Sequence, residues 1–236
     1  MNRGITLGVG AYAIWGVLPI FWKAIESVDS LEILAHRIVW SVVFLAAIIA
    51  LRGSWSQLRT LRAPVIARLL AAGSLLALNW ATYIWAVNNG HIVESSLGYF
   101  INPLLNVLLG VVILRERLGT VQWLAVAIAA IGVAYMTISI GSLPWIALVL
   151  ATSFATYALL KKQMRGVGPI ESLAVEVTLV LLPALIYLTI LGRGGEGAFG
   201  ADGARVTILL ILTGVATALP LLLFGAAARL IKLSTI

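Results

Sequence analysis

Four polar or helix-breaking residues recur at a regular spacing in one apolar stretch of the chain. They are Glu94, Gly98, Asn102 and Asn106, and on a helix they fall within about 120° of one face, because i and i+4 positions nearly superpose. A carboxylate and two carboxamides can bind a polar small molecule by hydrogen bonds. Such groups are costly in hydrocarbon and are tolerated where they face a cavity or neighbouring helices. We interpret this face as the wall of a pathway for a solute.

Other residues could contact the same solute, because they are polar, charged or aromatic within apolar surroundings. On the first apolar stretch, Tyr12, Trp15 and Lys23 share a helical face. The remaining candidates are His36 and Arg37 on the second stretch, Asn79 and Tyr83 on the third, and Tyr99 beside the face described above. We predict that these residues, together with Glu94, Asn102 and Asn106, bind a small-molecule substrate. The sequence predicts no catalytic residue.

Several of these residues also have a structural interpretation. An intramembrane arginine usually has a partner, and Glu94 is a candidate partner for Arg37, either in an anion site or as an ion pair that joins two helices. A histidine side chain can change its charge near neutral pH, so His36 fits a proton relay as well as a packing role. Lys23 could extend into the membrane interface. Tyr83 could line a cavity or anchor its helix at the interface.

The composition is typical of a polytopic membrane protein. Of the 236 residues, 61% are hydrophobic and 11% are charged, whereas a soluble domain is about half apolar and about one quarter charged. The net charge of +7 is not gathered into a basic cluster interleaved with polar surface, so we predict no nucleic-acid partner. The absence of cysteine excludes disulfides and thiolate metal sites. Metalloprotease, phosphate-loop and nucleophile-elbow motifs are also missing, so we predict neither a metal nor a cofactor.

Eight stretches are long enough to cross a bilayer as helices, which takes about 20 apolar residues each. We number them spans 1 to 8; they are residues 4–24, 31–51, 65–88, 92–114, 119–140, 144–161, 170–191 and 205–230. Pro64, Pro144 and Pro169 lie near span starts, where proline is well tolerated. Four other prolines lie inside spans and are expected to kink them: Pro19, Pro103, Pro183 and Pro220.

The distribution of basic residues predicts an orientation, because cytoplasmic loops of membrane proteins are rich in Lys and Arg. With a cytoplasmic N terminus, four of the 16 basic residues lie on the outer side: Lys23, Arg37, Arg193 and Arg205. The other twelve lie on the cytoplasmic side: Arg3, Arg52, Arg59, Arg62, Arg68, Arg115, Arg117, Lys161, Lys162, Arg165, Arg229 and Lys232. We therefore predict a cytoplasmic N terminus.

A weak internal repeat relates the two halves of the chain. The segments 32–35 and 171–174 are alike and open spans 2 and 7, and Gly73 in span 3 aligns with Gly214 in span 8. The repeat therefore predicts units of five spans, of which the second enters the membrane from the opposite face, as in many transporters. We place the first unit at residues 1–141 and the second, with three spans and the start of a fourth, at residues 142–236. We expect ten spans in all, with the second repeat truncated at its C-terminal end.

Several motifs resemble those of a known family. They are Glu32-Ile-Leu-Ala-His-Arg37, Asn79-Trp80, Ile84-Trp-Ala-Val-Asn-Asn89, Glu94-Ser-Ser-Leu-Gly-Tyr-Phe-Ile-Asn-Pro103, Glu116-Arg117, Gln122-Trp-Leu-Ala125 and Gly141-Ser-Leu-Pro144. In these motifs the chain resembles the RarD family, in the EamA branch of the drug/metabolite transporter superfamily, over essentially its whole length. The resemblance implies a bacterial inner-membrane protein with two inverted five-helix repeats that transports by alternating access. RarD-like proteins carry a chloramphenicol-sensitivity label, but the resemblance fixes no physiological substrate.

The residues and the resemblance favour a secondary active transporter of a small organic metabolite or drug. Its predicted partners are that small molecule and the lipid bilayer, with a second copy of the chain as a further candidate. One alternative is a membrane scaffold that transports nothing. Another is an intramembrane lipid-modifying enzyme, which would need an acid, a base and a nucleophile or metal on one face. The sequence offers only His36, His91, Glu94 and Glu176 for that chemistry, so we predict that the protein is not an enzyme.

Overall fold

The computed structural model describes residues 3–59, 61–141, 144–164 and 166–235. The described elements are ten α-helices and a final 3₁₀ turn: α1 (Arg3–Lys23), α2 (Ser30–Arg52), α3 (Trp55–Arg59), α4 (Ala63–Asn88), α5 (Ile92–Val112), α6 (Thr120–Ile140), α7 (Trp145–Gln163), α8 (Pro169–Thr178), α9 (Leu181–Gly194), α10 (Gly203–Leu230) and the turn Leu233–Thr235. The predicted all-α fold is confirmed.

Seven of the described helices are long and apolar enough to cross a membrane, and α8 and α9 together form an eighth candidate that is bent by 50°. In chain order they correspond to the predicted spans 1 to 8. The predicted polytopic membrane protein is therefore confirmed, with the bent pair as its seventh span. The five-residue helix α3, between the second and third spans, was not predicted.

The bend between α8 and α9 has its cause in Pro183, the third residue of α9. Proline lacks a backbone N–H, and its ring clashes with the carbonyl four residues earlier, here that of Leu179. Leu179 and Val180 are the residues that separate the two helices. The kink expected at Pro183 is thus a break in the span.

The other three internal prolines do not break their helices. The helix α1 continues through Pro19, α5 through Pro103 and α10 through Pro220. Membrane helices tolerate proline where neighbouring groups satisfy the carbonyl that proline leaves free. Sequence position alone therefore did not separate the one breaking proline from these three.

The chain forms two compact units, each built from both halves of the sequence. Unit 1 comprises Met1–Gly73 and Gly166–Ala227, and unit 2 comprises Ser74–Arg165 and Ala228–Ile236. These units differ from the predicted repeats, 1–141 and 142–236, because each of them takes segments from both repeats. The repeats describe a relation within the sequence, and they stay a prediction.

Two glycines allow close helix crossings inside unit 1. Gly73 on α4 lies against the backbone of α8, where a Cβ atom would stand only 2.7 Å from the Glu176 carbonyl oxygen. Gly214 on α10 lies against α2, and a Cβ atom there would overlap the Trp40 carbonyl group. Ser41 Oγ donates to the Gly214 carbonyl at 3.1 Å across the same crossing. The predicted repeat aligns Gly73 with Gly214. Their contacts correspond, because α4 packs on α8 at Gly73 and α10 packs on α2 at Gly214.

In unit 2, the broadest contact joins α5 and α7. Gly98 lies at this contact, where a Cβ atom would stand 3.1 Å from Leu150 Cβ and 3.2 Å from the Ala147 carbonyl oxygen. The buried core around it contains Leu97, Ile101, Ala147 and Ala151. Small residues on both helices therefore set the distance between α5 and α7, as is common in membranes.

Candidate functional site

The polar face of α5 lies where α5 packs on α7. Asn102 and Asn106 are buried, with 8% and 1% of their surfaces exposed. Asn102 Nδ2 donates to the Ala151 carbonyl on α7 at 3.2 Å, and Asn106 Nδ2 donates to Asn102 Oδ1 at 3.3 Å. The two carboxamides form a short hydrogen-bonded chain that ends on the backbone of α7.

Asn79 reaches the same turn of α7 from α4. Its Nδ2 donates to the Leu150 carbonyl at 2.9 Å and to Ser153 Oγ at 3.0 Å. Ser153 Oγ in turn donates to the Leu150 carbonyl at 3.1 Å. Within unit 2, amides from α4 and α5 therefore tie neighbouring turns of α7 in place.

These contacts bear on the interpretation made from spacing. Gly98 and Asn102 contact a neighbouring helix, α7. A spacing of four residues places side chains on one face, but it does not distinguish a cavity from a partner helix. Here Ala147 and Ala151 leave room for α5 to come close to α7. Direct contact of Asn79 or Asn102 with a solute stays a prediction.

Two buried oxygens of α5 have no hydrogen-bond partner among the residues that the structure describes. They are Asn106 Oδ1 and Glu94 Oε2. The other oxygen of Glu94 lies 3.4 Å from His91 Nδ1, and the His91 ring stacks on Trp85 with centroids 5.5 Å apart. An unsatisfied buried oxygen costs about 1–3 kcal/mol, so a water molecule or a solute is the expected source of the missing donor.

Tyr83 and Tyr99 lie together in unit 2, with ring centroids 6.2 Å apart and planes at 74°. Tyr83 packs against the buried cluster of Ala86, Ile146 and Leu150. Tyr99 has 66% of its surface exposed. The structure therefore brings two predicted site residues into contact, of which Tyr99 is the more exposed.

The three α1 residues that were predicted to share a face have two different surroundings in unit 1. Tyr12 and Trp15 form an aromatic cluster with Phe224 of α10, with ring centroids 5.4 to 6.4 Å apart. Lys23 lies in the last turn of α1 and is exposed, where its charge complements the helix dipole. Lys23 thus has the position expected of a residue at the membrane interface.

Arg37 is held by α10 and by the end of α1. Its Nε donates to Thr217 Oγ1 at 2.9 Å, and its guanidinium lies 4.8 Å from the centre of the Trp22 ring. A hydroxyl and an aromatic face both stabilise a guanidinium away from water. Within unit 1, Arg37 therefore contacts Thr217 and Trp22. The sequence had suggested Glu94 as its partner.

His36 is buried against the segment that joins α9 to α10. Its ring stacks on Phe199 with centroids 4.9 Å apart, and His36 Nε2 lies 3.7 Å from Glu32 Oε1. Glu32 is 2% exposed, and its carboxylate accepts hydrogen bonds from Ala198 N at 2.9 Å and Phe199 N at 3.2 Å. Glu32 belongs to the repeat and to a family motif in the sequence, and neither predicts these contacts. The available signal was an acidic residue four positions before a histidine at the start of an apolar span.

Glu116, between α5 and α6, fixes the 3₁₀ turn within unit 2. Its carboxylate accepts hydrogen bonds from Ser234 N at 3.0 Å, Ser234 Oγ at 2.7 Å and Leu233 N at 2.8 Å, and Lys162 Nζ lies 3.9 Å away. Burial acts to raise the pKa of Glu116, but the hydrogen bonds from Ser234 and Leu233 and the charge of Lys162 together lower it below 4.5. Glu116 is therefore ionised at neutral pH and is a second carboxylate whose role the sequence did not reveal.

Comparison with known proteins bears on these observations. The family model of EamA-like transporters matches residues 2–138. Protein RarD of Streptomyces exfoliatus is 48% identical over 238 residues, which cover 100% of this chain and 75% of that protein. Protein RarD of Escherichia coli (strain K12) is 42% identical, covering 100% of this chain and 80% of that protein. A Pseudomonas aeruginosa protein named chloramphenicol-sensitive protein RarD is 32% identical, and the match covers 98% of this chain and 79% of that protein.

A solved crystal structure has a similar arrangement of helices. Its TM-score is 0.71 and its identity 17%, and the match covers 98% of this chain and 81% of that one. At this identity the likeness shows the fold alone. The matching family and the identity to the RarD proteins decide the assignment: the chain is a multi-pass membrane protein of the RarD family, within the EamA-like drug/metabolite transporters.

Proposed function

We propose that this protein is a secondary active transporter that moves a small organic molecule across the bacterial inner membrane by alternating access. The observation that carries the proposal is the pair of buried α5 oxygens without a donor, Asn106 Oδ1 and Glu94 Oε2, among the described residues. A polar contact between membrane helices contributes about 0.6 kcal/mol on average, whereas an unsatisfied oxygen costs about 1–3 kcal/mol. Helix packing alone therefore does not explain why Asn106 and Glu94 are polar. A solute or a water molecule that donates to their oxygens would explain it.

The broken span supports the same proposal. Discontinuous helices are a recurring part of transporters, because their free backbone groups and helix ends can face a solute or an ion. The break at Leu179 and Val180 lies within the bent pair α8 and α9, and we propose that its helix ends lie at membrane depth. In unit 1, Tyr12, Trp15, Lys23, His36 and Arg37 stay predicted contacts of the solute.

In unit 2, we assign separate roles to three residues of α5. Asn106 and Tyr99 donate or accept hydrogen bonds with the solute, and Glu94 selects for its charge. The N terminus lies in the cytoplasm, which fits the distribution of basic residues.

A ligand-stabilisation screen followed by flux measurement tests the proposal. The name of the Pseudomonas aeruginosa relative makes chloramphenicol the first compound to try. A ligand at a hundred times its Kd stabilises the native state by about 2.7 kcal/mol, so it raises the melting temperature. We expect a compound that does so to enter vesicles containing the protein faster than protein-free vesicles, and mass spectrometry to recover it unchanged. A chemically altered product would favour the enzyme, and stabilisation without uptake would favour the scaffold.

A further inference from the structure

Unit 1 contains a cleft of about 530 Å³ between the start of α2, the end of α9 and the segment that follows α9. Four glycines, together with Glu32, His36, Leu188, Leu191, Phe199 and Ala201, line it. Small-molecule sites are commonly of this size, with apolar walls and a few polar groups that orient the ligand. The cleft has this combination within one compact unit.

The wall formed by the segment after α9 is firmly attached. Ala198 N donates to both carboxylate oxygens of Glu32, at 2.9 and 3.1 Å. The Ala198 side chain is buried with Ile25, Val28 and Leu210. The cleft is therefore preformed, which lowers the entropic cost of binding.

One polar side chain in the cleft lacks a hydrogen-bond partner. His36 is 5% exposed, and neither Nδ1 nor Nε2 has a partner among the described residues. Glu32 Oε1 lies 3.7 Å from Nε2, beyond hydrogen-bond distance. A neutral imidazole has one donor and one acceptor nitrogen, and the nearby carboxylate favours the proton on Nε2. His36 Nδ1 is then a buried acceptor without a donor.

The charge around the cleft favours a cation. Glu32 lies in its wall, and Tyr187, on the α9 side, donates to Asp29 Oδ1 at 3.1 Å. Glu196 lies in the chain between Gly195 and Gly197, two of the glycines that line the cleft. The basic residue at the end of α9, Arg193, is exposed. Glu32 in the wall, with Asp29 and Glu196 near it in the chain or in space, gives the cleft negative charge, which repels an anion and attracts a cation.

We propose that this cleft binds a small organic ammonium ion that carries at least one N–H and an apolar body. The N–H donates to His36 Nδ1, the carboxylates attract the charge, and Leu188, Leu191 and Phe199 contact the apolar part. The cleft includes His36, one of the predicted contacts of the transported solute, but it lies wholly in unit 1. Its occupancy requires no transport, so the inference does not depend on the proposed function.

Calorimetric titration of the purified protein with benzyl compounds tests this chemistry. We expect benzylammonium to bind saturably. Benzyltrimethylammonium, which keeps the charge but lacks an N–H, should bind at least tenfold more weakly, and benzoate should show no binding. This series uses the wild-type chain alone, so it decides the question even where a variant fails to fold. Equal binding of the two cations, binding of benzoate, or no binding of benzylammonium would each overturn the proposal.

Two variants locate the site. His36→Phe keeps an aromatic ring beside Phe199 but removes the acceptor, and Leu188→Trp fills the cleft from α9; each should weaken benzylammonium binding at least tenfold. The matched control is His91→Phe, because His91 also neighbours a carboxylate, that of Glu94, at 3.4 Å but belongs to unit 2. Wild-type affinity in a folded His36→Phe variant would contradict the assignment. Benzylammonium binding without uptake of any ligand would leave this inference standing and would count against the transporter.

Discussion

The amides of unit 2 differ in whether the protein itself satisfies them. Asn79 and the donor group of Asn102 are bonded to α7, whereas Asn106 keeps a buried oxygen without a donor among the described residues. Amides of the first kind hold helices together, and one of the second kind is available to a solute. The two kinds look alike in the sequence and respond differently to mutation.

Replacing Asn79 with leucine removes both hydrogen bonds from α4 to α7. We expect a loss of about 1 kcal/mol of stability, the usual scale for polar contacts between membrane helices. Asn89→Leu is the matched control, since Asn89 is exposed and its Nδ2 donates within its own helix end, to the Trp85 carbonyl at 2.8 Å. Unfolding in mixed detergent measures both. An Asn79→Leu protein as stable as the control would show that the amide does not hold α7.

Glu116 predicts a pH dependence of stability. Its pKa is lowered in the folded state, so its stabilising contribution is fully present above about pH 4.5 and is lost as the pH falls through the folded pKa. Glu116→Gln should therefore melt at a lower temperature at neutral pH and lose less stability on acidification below 4.5. The exposed Glu26→Gln is the control. Parallel melting curves for wild type and Glu116→Gln across this range would contradict the assigned contacts.

At the scale of helices, the two glycine crossings of unit 1 leave no room for a side chain. Gly214→Ala would place a methyl group against the Trp40 backbone, and Gly73→Ala would place one against the Glu176 backbone. Both variants should lower the melting temperature, and Gly214→Ala should lower it more because its contact is closer. Gly132→Ala on α6 is the control. Outside its own helix, no atom of the residues that the structure describes lies within 4 Å of the added Cβ, and alanine favours a helix by up to about 1 kcal/mol over glycine. Three variants of equal stability would contradict the close crossings.

The number and order of the helices were predictable, because the apolar stretches have the length that a bilayer requires. The break at Pro183 was expected as a kink, but its severity depends on whether neighbouring groups satisfy the freed carbonyl, which sequence position does not reveal. For the site, the shared face of Glu94, Asn102 and Asn106 was predictable from a spacing of four. That α7 covers Asn102, and that Glu32 binds the backbone of a segment 166 residues away, depend on tertiary contacts that no local pattern encodes.

At the scale of the whole molecule, the predicted orientation can be tested with single cysteines, because the chain has none of its own. Ser27 precedes α2 and Ser56 lies in α3, and both are exposed. With a cytoplasmic N terminus, Ser27→Cys should react with an impermeant maleimide in intact cells, and Ser56→Cys only after permeabilisation. The reverse labelling pattern would show the opposite orientation.

The most direct test of the transporter account compares the uptake of a stabilising ligand by vesicles containing wild-type protein or Asn106→Leu. Leucine removes the buried oxygen that the solute or water is proposed to satisfy. It also removes the Nδ2 group that donates to Asn102 Oδ1, so we expect a loss of about 1–3 kcal/mol of stability for the oxygen left without a donor. We predict that uptake falls at least tenfold while the protein stays folded. Wild-type uptake by a folded Asn106→Leu protein would contradict the account.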